Sequence, residues 1–236
     1  MTCVAGIFAR GGSKGLPNKN IKVFHGKPLI AWSIQCALSI SRIDRVLVST
    51  DSPEIAEIAL KYGAEVPFLR PESLSTDDSP ELLSWQHFLN YIKVDQMSLP
   101  DVFVSLPVTS PLREPSDVEK CLDVFKSGKH DAVITVADAS RNPFFNMVKE
   151  TSPTTVKLFA ELPKAVYRRQ DAPKVYDVTT VAYIADPNFV LNNISLFDGN
   201  LGFVNIPRER SIDIDTQLDF KIAEMLFTYL KSNDKY

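Results

Sequence analysis

The sequence predicts an α/β fold in which a mostly parallel sheet carries helices on both faces. Three observations predict it. Short apolar runs recur at 4–9, 45–50, 102–106 and 132–136, and continuous rather than alternating apolarity marks strands buried on both sides. Between the runs, apolar residues recur at helical spacing. Helix-start signals stand ahead of several of those stretches, and strands alternating with helices build a mostly parallel sheet.

The elements follow in order. After the first run, residues 9–27 form a loop, and Pro28 suits the first turn of a helix with Leu29, Ile30, Ile34, Ala37 and Leu38 on its apolar face. The second run leads into Asp51-Ser52-Pro53-Glu54, a capping residue with Pro at an early position, and Ile55, Ile58, Ala59 and Tyr62 continue the helix to a stop at Gly63. Residues 65–69 read as a short third strand and 70–78 as a polar loop. Ser79-Pro80-Glu81 opens a helix that runs to about residue 94. Ser116-x-x-Glu119 reads as a capping box ahead of Val118, Leu122 and Phe125, and Thr216-x-x-Asp219 caps a last helix through Leu230. From 138 to 178 the alternation breaks into aromatics and prolines, including Phe144, Phe145, Phe159 and Tyr167. That stretch reads as extended segments or hairpins outside the main sheet. Residues 179–184 and 203–206 return to strand character. One domain, 1–236, with this excursion, accounts for the chain.

Composition narrows the function. The 236 residues, 44% hydrophobic, suffice for one sizeable core. No apolar run approaches the ~20 residues of a membrane span, and the N-terminal residues lack the basic segment of a signal peptide, so a cytoplasmic location is expected. Cys3, Cys36 and Cys121, and likewise His25, His87 and His130, are scattered without metal spacing. A net charge of −3 argues against general nucleic-acid binding.

Local charge tells more. Arg10-Gly11-Gly12-Ser13-Lys14-Gly15 follows the first strand, with Lys19 and Asn20 close behind. Glycines admit close backbone approach and positive φ, and such a turn can surround phosphate oxygens with N–H groups. Arg10, Lys14 and Lys19 supply countercharge, which predicts a triphosphate cradle at the carboxyl end of the first strand. No Gly-Lys-Ser/Thr and no Gly-x-Gly-x-x-Gly occurs, so this is neither a P-loop nor the dinucleotide fingerprint. A flexible basic loop is the plainer alternative. Far along the chain, Asp213 and Asp215 in Ser211-Ile212-Asp213-Ile214-Asp215-Thr216 would project together from extended backbone, with Ile212 and Ile214 facing the core. Paired carboxylates suit Mg²⁺ shared with substrate phosphates; an acidic strand end beside a helix start is the plainer reading.

These two stretches, together with Leu69-Arg70-Pro71-Glu72, Thr109-Ser110-Pro111-Leu112-Arg113 and Arg169-Gln170-x-x-Pro173, resemble in content and order the motifs of the acylneuraminate cytidylyltransferase family. The resemblance implies a Rossmann-like sheet and coupling of CTP to a nine-carbon α-keto acid sugar. It implies that Lys19 meets the α-phosphate and developing charge, while Arg10, Gly11, Gly12, Ser13 and Lys14 hold the phosphate chain. Asn20 would meet the ribose and Arg70 the cytosine end. Thr109 and Ser110, with Arg168, Arg169 and Gln170, would stand on the sugar side. Asp213 and Asp215 would hold Mg²⁺, or Mn²⁺ in its place. A homodimer through 138–178 is also implied, with Arg168 or Arg169 near the partner's sugar. Departures mark the acceptor side: sialic-acid enzymes commonly have Gln-Pro where Pro107-Val108 stands, and Asn-Gly where Thr179-Thr180 stands. Segments 141–146 and 172–177 resemble the legionaminic-acid branch instead. Transfer to Kdo, another sugar nucleotidyltransferase, or a non-catalytic nucleotide-binding module are the competing expectations.

Overall fold

The computed structural model describes residues 1–76, 78–164 and 166–232. The apolar runs become strands whose alternate side chains feed two cores. In β1 (Cys3–Phe8), Cys3, Ala5 and Ile7 enter one core, and Val4 enters the other. Two short strands, β2 (Val23–Phe24) and β3 (Lys27–Pro28), form a separate ribbon ahead of α1 (Leu29–Leu38). Pro28 therefore precedes that helix rather than entering its first turn, and Leu38 is exposed although its spacing suggests the buried face. Next come β4 (Arg45–Ser49) and α2 (Pro53–Lys61). Ser52 caps α2 by accepting from the Ile55 N–H, and Gly63 at φ 93° follows its end.

The second half of the sheet is built from α3 (Glu81–Asp95), β5 (Val102–Ser105), α4 (Pro115–Lys126) and β6 (Ala132–Asp138). The excursion contains β7 (Val148–Ser152) and β8 (Thr155–Leu158), an antiparallel hairpin apart from the main sheet. The chain returns through β9 (Tyr176–Ala185), α5 (Pro187–Asn192), β10 (Leu201–Asn205) and α6 (Gln217–Ser232). The six-stranded order is β10-β6-β9-β5-β1-β4. All pairings are parallel except those of β9, which runs antiparallel between β5 and β6. Residues of α1, α2, α4 and α6 pack on one face of the sheet; Trp85, Phe88, Leu89 and Ile92 of α3 and Val190 of α5 pack on the other.

Two further expectations need correction. Residues 65–69 form only isolated bridges, Glu65 with Leu47 of β4 and Leu69 with Thr50 just past its end; Pro67 between them has no N–H to give to a ladder. The capping box of α4 is formed by Glu114 and Asp117 rather than by Ser116 and Glu119, because Pro115 already occupies the first helical turn. In the excursion Phe159 and Tyr167 are exposed, with Val148, Val156 and Leu158 of the hairpin, whereas Phe144 and Phe145 are half-buried. The three cysteines are free and buried, and burial pushes the Cys36 thiol up to about 11. Among the described residues, no helix is long and apolar enough to cross a membrane.

Candidate active site

At the carboxyl end of β1 the glycine-containing loop turns back on itself. The Gly11 N–H donates to Asp51 Oδ1 (3.0 Å), at the end of β4. The buried Asn20 amide donates to the Arg10 carbonyl (2.9 Å), closing the loop's far side. Asn18 takes the left-handed conformation at φ 54°, which asparagine tolerates better than most residues. The loop opens onto a cavity of about 490 Å³ whose wall includes Arg10, Ser13, Lys14, Lys19, Asn20 and Asp215. Arg70 and Thr109 also reach it, whereas Gly11 and Gly12 form the turn behind it.

Residues 211–216 cross the cavity's edge as irregular chain. Their position is fixed by backbone contacts to the loop after β5: the Ile214 N–H donates to the Thr109 carbonyl (2.9 Å), and Ser110 Oγ donates to the Ile212 carbonyl (3.3 Å). Ile214 is fully buried and Ile212 half-buried. A buried ion pair anchors the segment from behind. Arg210 donates to both carboxylate oxygens of Asp117 at 3.0 and 2.7 Å, and Asp117 has no exposed surface. The segment also touches the first loop. A Cβ on Gly15 would lie 2.5 Å from the Asp215 carbonyl oxygen, so this glycine is required by close approach.

Lys19 joins the two loops. Its Nζ donates to the Ile214 carbonyl (2.8 Å) and to Asp215 Oδ1 (2.9 Å), and only 14% of its side chain is exposed. Asp213 is half-buried, and its Oδ1 is buried with no hydrogen-bond partner among the described residues. An acceptor in that condition fits a cation. Among the described residues no three acidic, histidine or cysteine side chains gather as a metal cluster. A cation here would therefore need further oxygens from a phosphorylated ligand, which is the habit of Mg²⁺.

Beyond Lys19 the cavity is bounded by Arg70 and Glu81. Arg70 is buried, donates to Ser75 Oγ (3.0 Å) and Ser84 Oγ (3.3 Å), and lies 4.0 Å from Asp51. Burial holds its guanidinium below the usual range, with Asp51 opposing. A second, mostly apolar cavity of about 250 Å³ adjoins, lined by Trp85, Ile134, Tyr183, Leu196 and Phe197, with Glu81 at its margin. Burial raises the Tyr183 phenol, and the carboxylates of Glu81 and Asp213 add to that.

The acceptor-side residues separate. Ser110 is fully buried and shares a hydrogen bond with Thr180 Oγ1 (2.8 Å), so its hydroxyl is occupied in holding the loop. Thr179 is also buried and donates to Thr135 Oγ1 (2.8 Å), at the irregularity between β6 and β9. The Pro107 carbonyl accepts from Ser33 Oγ (3.1 Å) and from buried Arg113. Burial pulls the Arg113 guanidinium down to about 10, while the carbonyls of Val181 and Thr180 and the Ser33 hydroxyl receive its other N–H groups. Within one chain, Arg168, Arg169 and Gln170 do not join Thr109. Arg168 pairs with Asp171 (2.8 Å), Arg169 donates to the Ala139 carbonyl, and Gln170 lines a different cavity of about 470 Å³ with Arg141 and Lys174. Asp51, Glu81, and the Asp117–Arg210 pair were read from sequence only as helix starts or not at all. An acid directly after a parallel strand was the available signal for Asp51.

The geometry places cations, an under-partnered carboxylate and an apolar recess at one end of an α/β sheet. A family model described as cytidylyltransferase matches residues 4–226. The post-translational flagellin modification protein B of Campylobacter coli is 37% identical over 93% of this chain and 92% of its own. The CMP-N,N'-diacetyllegionaminic acid synthase of Campylobacter jejuni is 36% identical over 94% and 93%. Among solved structures, CMP:2-keto-3-deoxy-manno-octonic acid synthetase complexed with CTP superimposes with a TM-score of 0.71, covering 97% of this chain and 99% of its own. At 18% identity, that likeness concerns the fold alone.

Proposed function

The chain belongs to the cytidylyltransferase family, and from that membership we propose that it couples CTP to a nonulosonic acid, giving a CMP-sugar and pyrophosphate. The anomeric hydroxyl of the sugar attacks the α-phosphorus, a new P–O bond forms, the bond to pyrophosphate breaks, and the hydroxyl proton passes to water. Such transfers rest on positioning and electrostatic stabilisation. The observation that carries this reading is the convergence of Arg10, Lys14, Lys19 and Asp215 on one cavity with an apolar recess beside it. Phosphates need the cations; the recess suits the acyl group of a nonulosonate.

Arg10, Ser13 and Lys14 hold the phosphate chain, Asn20 meets the ribose, and buried Arg70 closes the cytosine end. Lys19 faces Asp215, and an entering phosphate competes with that carboxylate for the ammonium. Asp213 and Asp215 would hold Mg²⁺, which would neutralise phosphate charge. Removing divalent ions with a chelator is expected to abolish turnover, with recovery on adding Mg²⁺ or Mn²⁺. Asp213→Asn and Asp215→Asn should each demand more metal for half-maximal rate; full activity in chelator would sink the assignment. A cytoplasmic location is proposed with the reaction.

The acceptor is proposed to be legionaminic-like. Pro107 offers no side-chain donor or acceptor, and its carbonyl is already engaged. A sugar group that meets glutamine in sialic-acid enzymes must be served differently here, and an unmatched buried polar group costs about 1–3 kcal/mol. Pyrophosphate release at equal CTP should give the highest kcat/KM for a diacetylated legionaminic-type acid, less for N-acetylneuraminate, and least for Kdo. UTP, ATP and GTP should serve poorly. Preference for N-acetylneuraminate would overturn the branch, preference for Kdo the nine-carbon acceptor, and no release with any keto acid would leave a binding module.

Assembly is proposed through the excursion. Exposed Val148, Val156, Phe159 and Tyr167 suit a homodimer interface, in which Arg168 or Arg169 approaches the partner's sugar. Light scattering should give the dimer mass; a fully active monomer would refute it.

A further inference from the structure

The pairing of β9 with β6 is interrupted at one place. Ile134 faces Tyr183 and Thr135 faces Thr179, so Thr180, Val181 and Ala182 have no partner on β6. Two buried side chains supply what the ladder lacks. Thr135 Oγ1 accepts from the Ala182 N–H (3.2 Å), and Arg113 donates to the carbonyls of Val181 (2.7 Å) and Thr180 (3.2 Å). A bulge held in this way re-aims a side chain, and the one it aims is Thr180. Thr180 Oγ1 lies 2.8 Å from Ser110 Oγ, and the Thr109 hydroxyl donates to it at a longer 3.4 Å. Ser110 is fully buried and has a single hydroxyl proton, which goes to the Ile212 carbonyl, a group that only accepts. Thr180 is therefore the donor in the 2.8 Å bond. The protons run one way, from Thr109 on the cavity wall through Thr180 and Ser110 to the segment that carries Asp213 and Asp215.

We propose that Thr180 is a positioning residue for the metal-holding segment 211–216. This rests on the metal role given above to Asp213 and Asp215. The segment is irregular chain, so a handful of bonds place it, and two of them come from the loop after β5, through Ser110 Oγ and the Thr109 carbonyl. Thr180 fixes that loop from the β9 side. By donating, it leaves the Ser110 proton to Ile212, and hydrogen bonds in such a row strengthen one another. A methyl group in its place has no proton to give and cannot stay at hydrogen-bond distance, so Ser110 loses its donor and is pushed out of place. The displacement reaches both carboxylates. Asp213 adjoins Ile212, and Asp215 adjoins Ile214, whose N–H the same loop holds. Thr180 thus acts through Ser110 and not by touching the reacting atoms.

The test compares wild type, Thr180→Val, Thr180→Ser and Ser110→Ala. Mn²⁺ binding is measured with CTP and no acceptor by water-proton relaxation, which separates Mn²⁺ on the slowly tumbling protein from Mn²⁺ on free CTP. Thr180→Val should weaken binding by roughly tenfold, the scale of one buried hydroxyl left without its partner, whereas Thr180→Ser, which keeps the hydroxyl, should stay within about twofold of wild type. Ser110→Ala should match Thr180→Val, and the double variant should be no worse than either, because both break one chain. In pyrophosphate release, Thr180→Val should lose turnover at low Mg²⁺ and regain most of it at high Mg²⁺, with the KM for the acceptor unchanged. Unaltered Mn²⁺ affinity in Thr180→Val, with melting reporting its fold, overturns the proposal; if that variant does not fold, Ser110→Ala decides in the same way. Thr180→Ser as weak as Thr180→Val also overturns it, as does a change confined to the KM for the acceptor, which would assign Thr180 to the sugar. A wild type that binds Mn²⁺ with CTP but releases no pyrophosphate with any keto acid sinks the transfer reaction, and the binding data still decide this inference. A wild type that binds no Mn²⁺ sinks the metal assignment and this inference with it.

Discussion

Lys19→Ala should lower turnover by roughly 10²–10³-fold, the loss of about 3–4 kcal/mol typical of removing one donor from a preorganised site. The ammonium is held within 2.9 Å of Asp215 and 2.8 Å of the Ile214 carbonyl, so its position is set before any phosphate competes for it. The same contacts mean that the substitution is not purely chemical. Sequence alone suggests a solvated loop cation; the fold sequesters it, and losing its bond to Ile214 loosens the segment that carries both aspartates. Lys19→Arg separates the two effects, because it keeps the charge but not the point-like ammonium. Turnover by pyrophosphate release, set beside melting temperature, is the measurement. Near-normal turnover in a folded Lys19→Ala protein would remove Lys19 from the chemistry.

Arg210→Met should be the most destabilising of the changes considered. It strips the partner from Asp117, which has no exposed surface and already gives one oxygen to cap α4. Breaking one half of a buried pair costs about 3–5 kcal/mol, because the remaining charge is buried alone. For a chain of this size that is a melting-point loss on the order of 10 °C. Asp117→Leu in the same protein should restore much of it, since replacing both partners by apolar groups is often near neutral. A double variant as unstable as the single one would show that the charges contribute more together than their burial costs. Because the pair anchors residues 211–216, turnover should fall along with stability in the single variant and recover only in part in the double.

The buried strands were legible because burial on both faces leaves a continuous apolar run, as in β1, β4, β5 and β6. Their direction was not: β9 reads like its neighbours, and nothing in its side-chain period records that it runs the other way. Pro67 could have warned against a strand at 65–69. The cationic loop and the two aspartates were visible because charge and glycine cluster there against an apolar background. What joins them was not, since Lys19 and Ile214 are 195 positions apart and Arg210 and Asp117 are 93 apart. Glu81 looked like an ordinary helix start. That it lines two cavities meeting at one helix end is something no local pattern encodes.

The antiparallel β9 has a consequence for how the molecule is assembled during synthesis. It alone joins the parallel block β4-β1-β5 to the parallel block β6-β10. Asp51 and the loop that carries Lys19 follow strands of the first block, yet the sheet that supports them is not continuous until Tyr176–Ala185 has been made and has paired between β5 and β6. Non-local pairings of this kind are slow to form. A nascent chain ending earlier presents β5 and β6 as open strand edges, the surfaces on which unfinished chains adhere to one another.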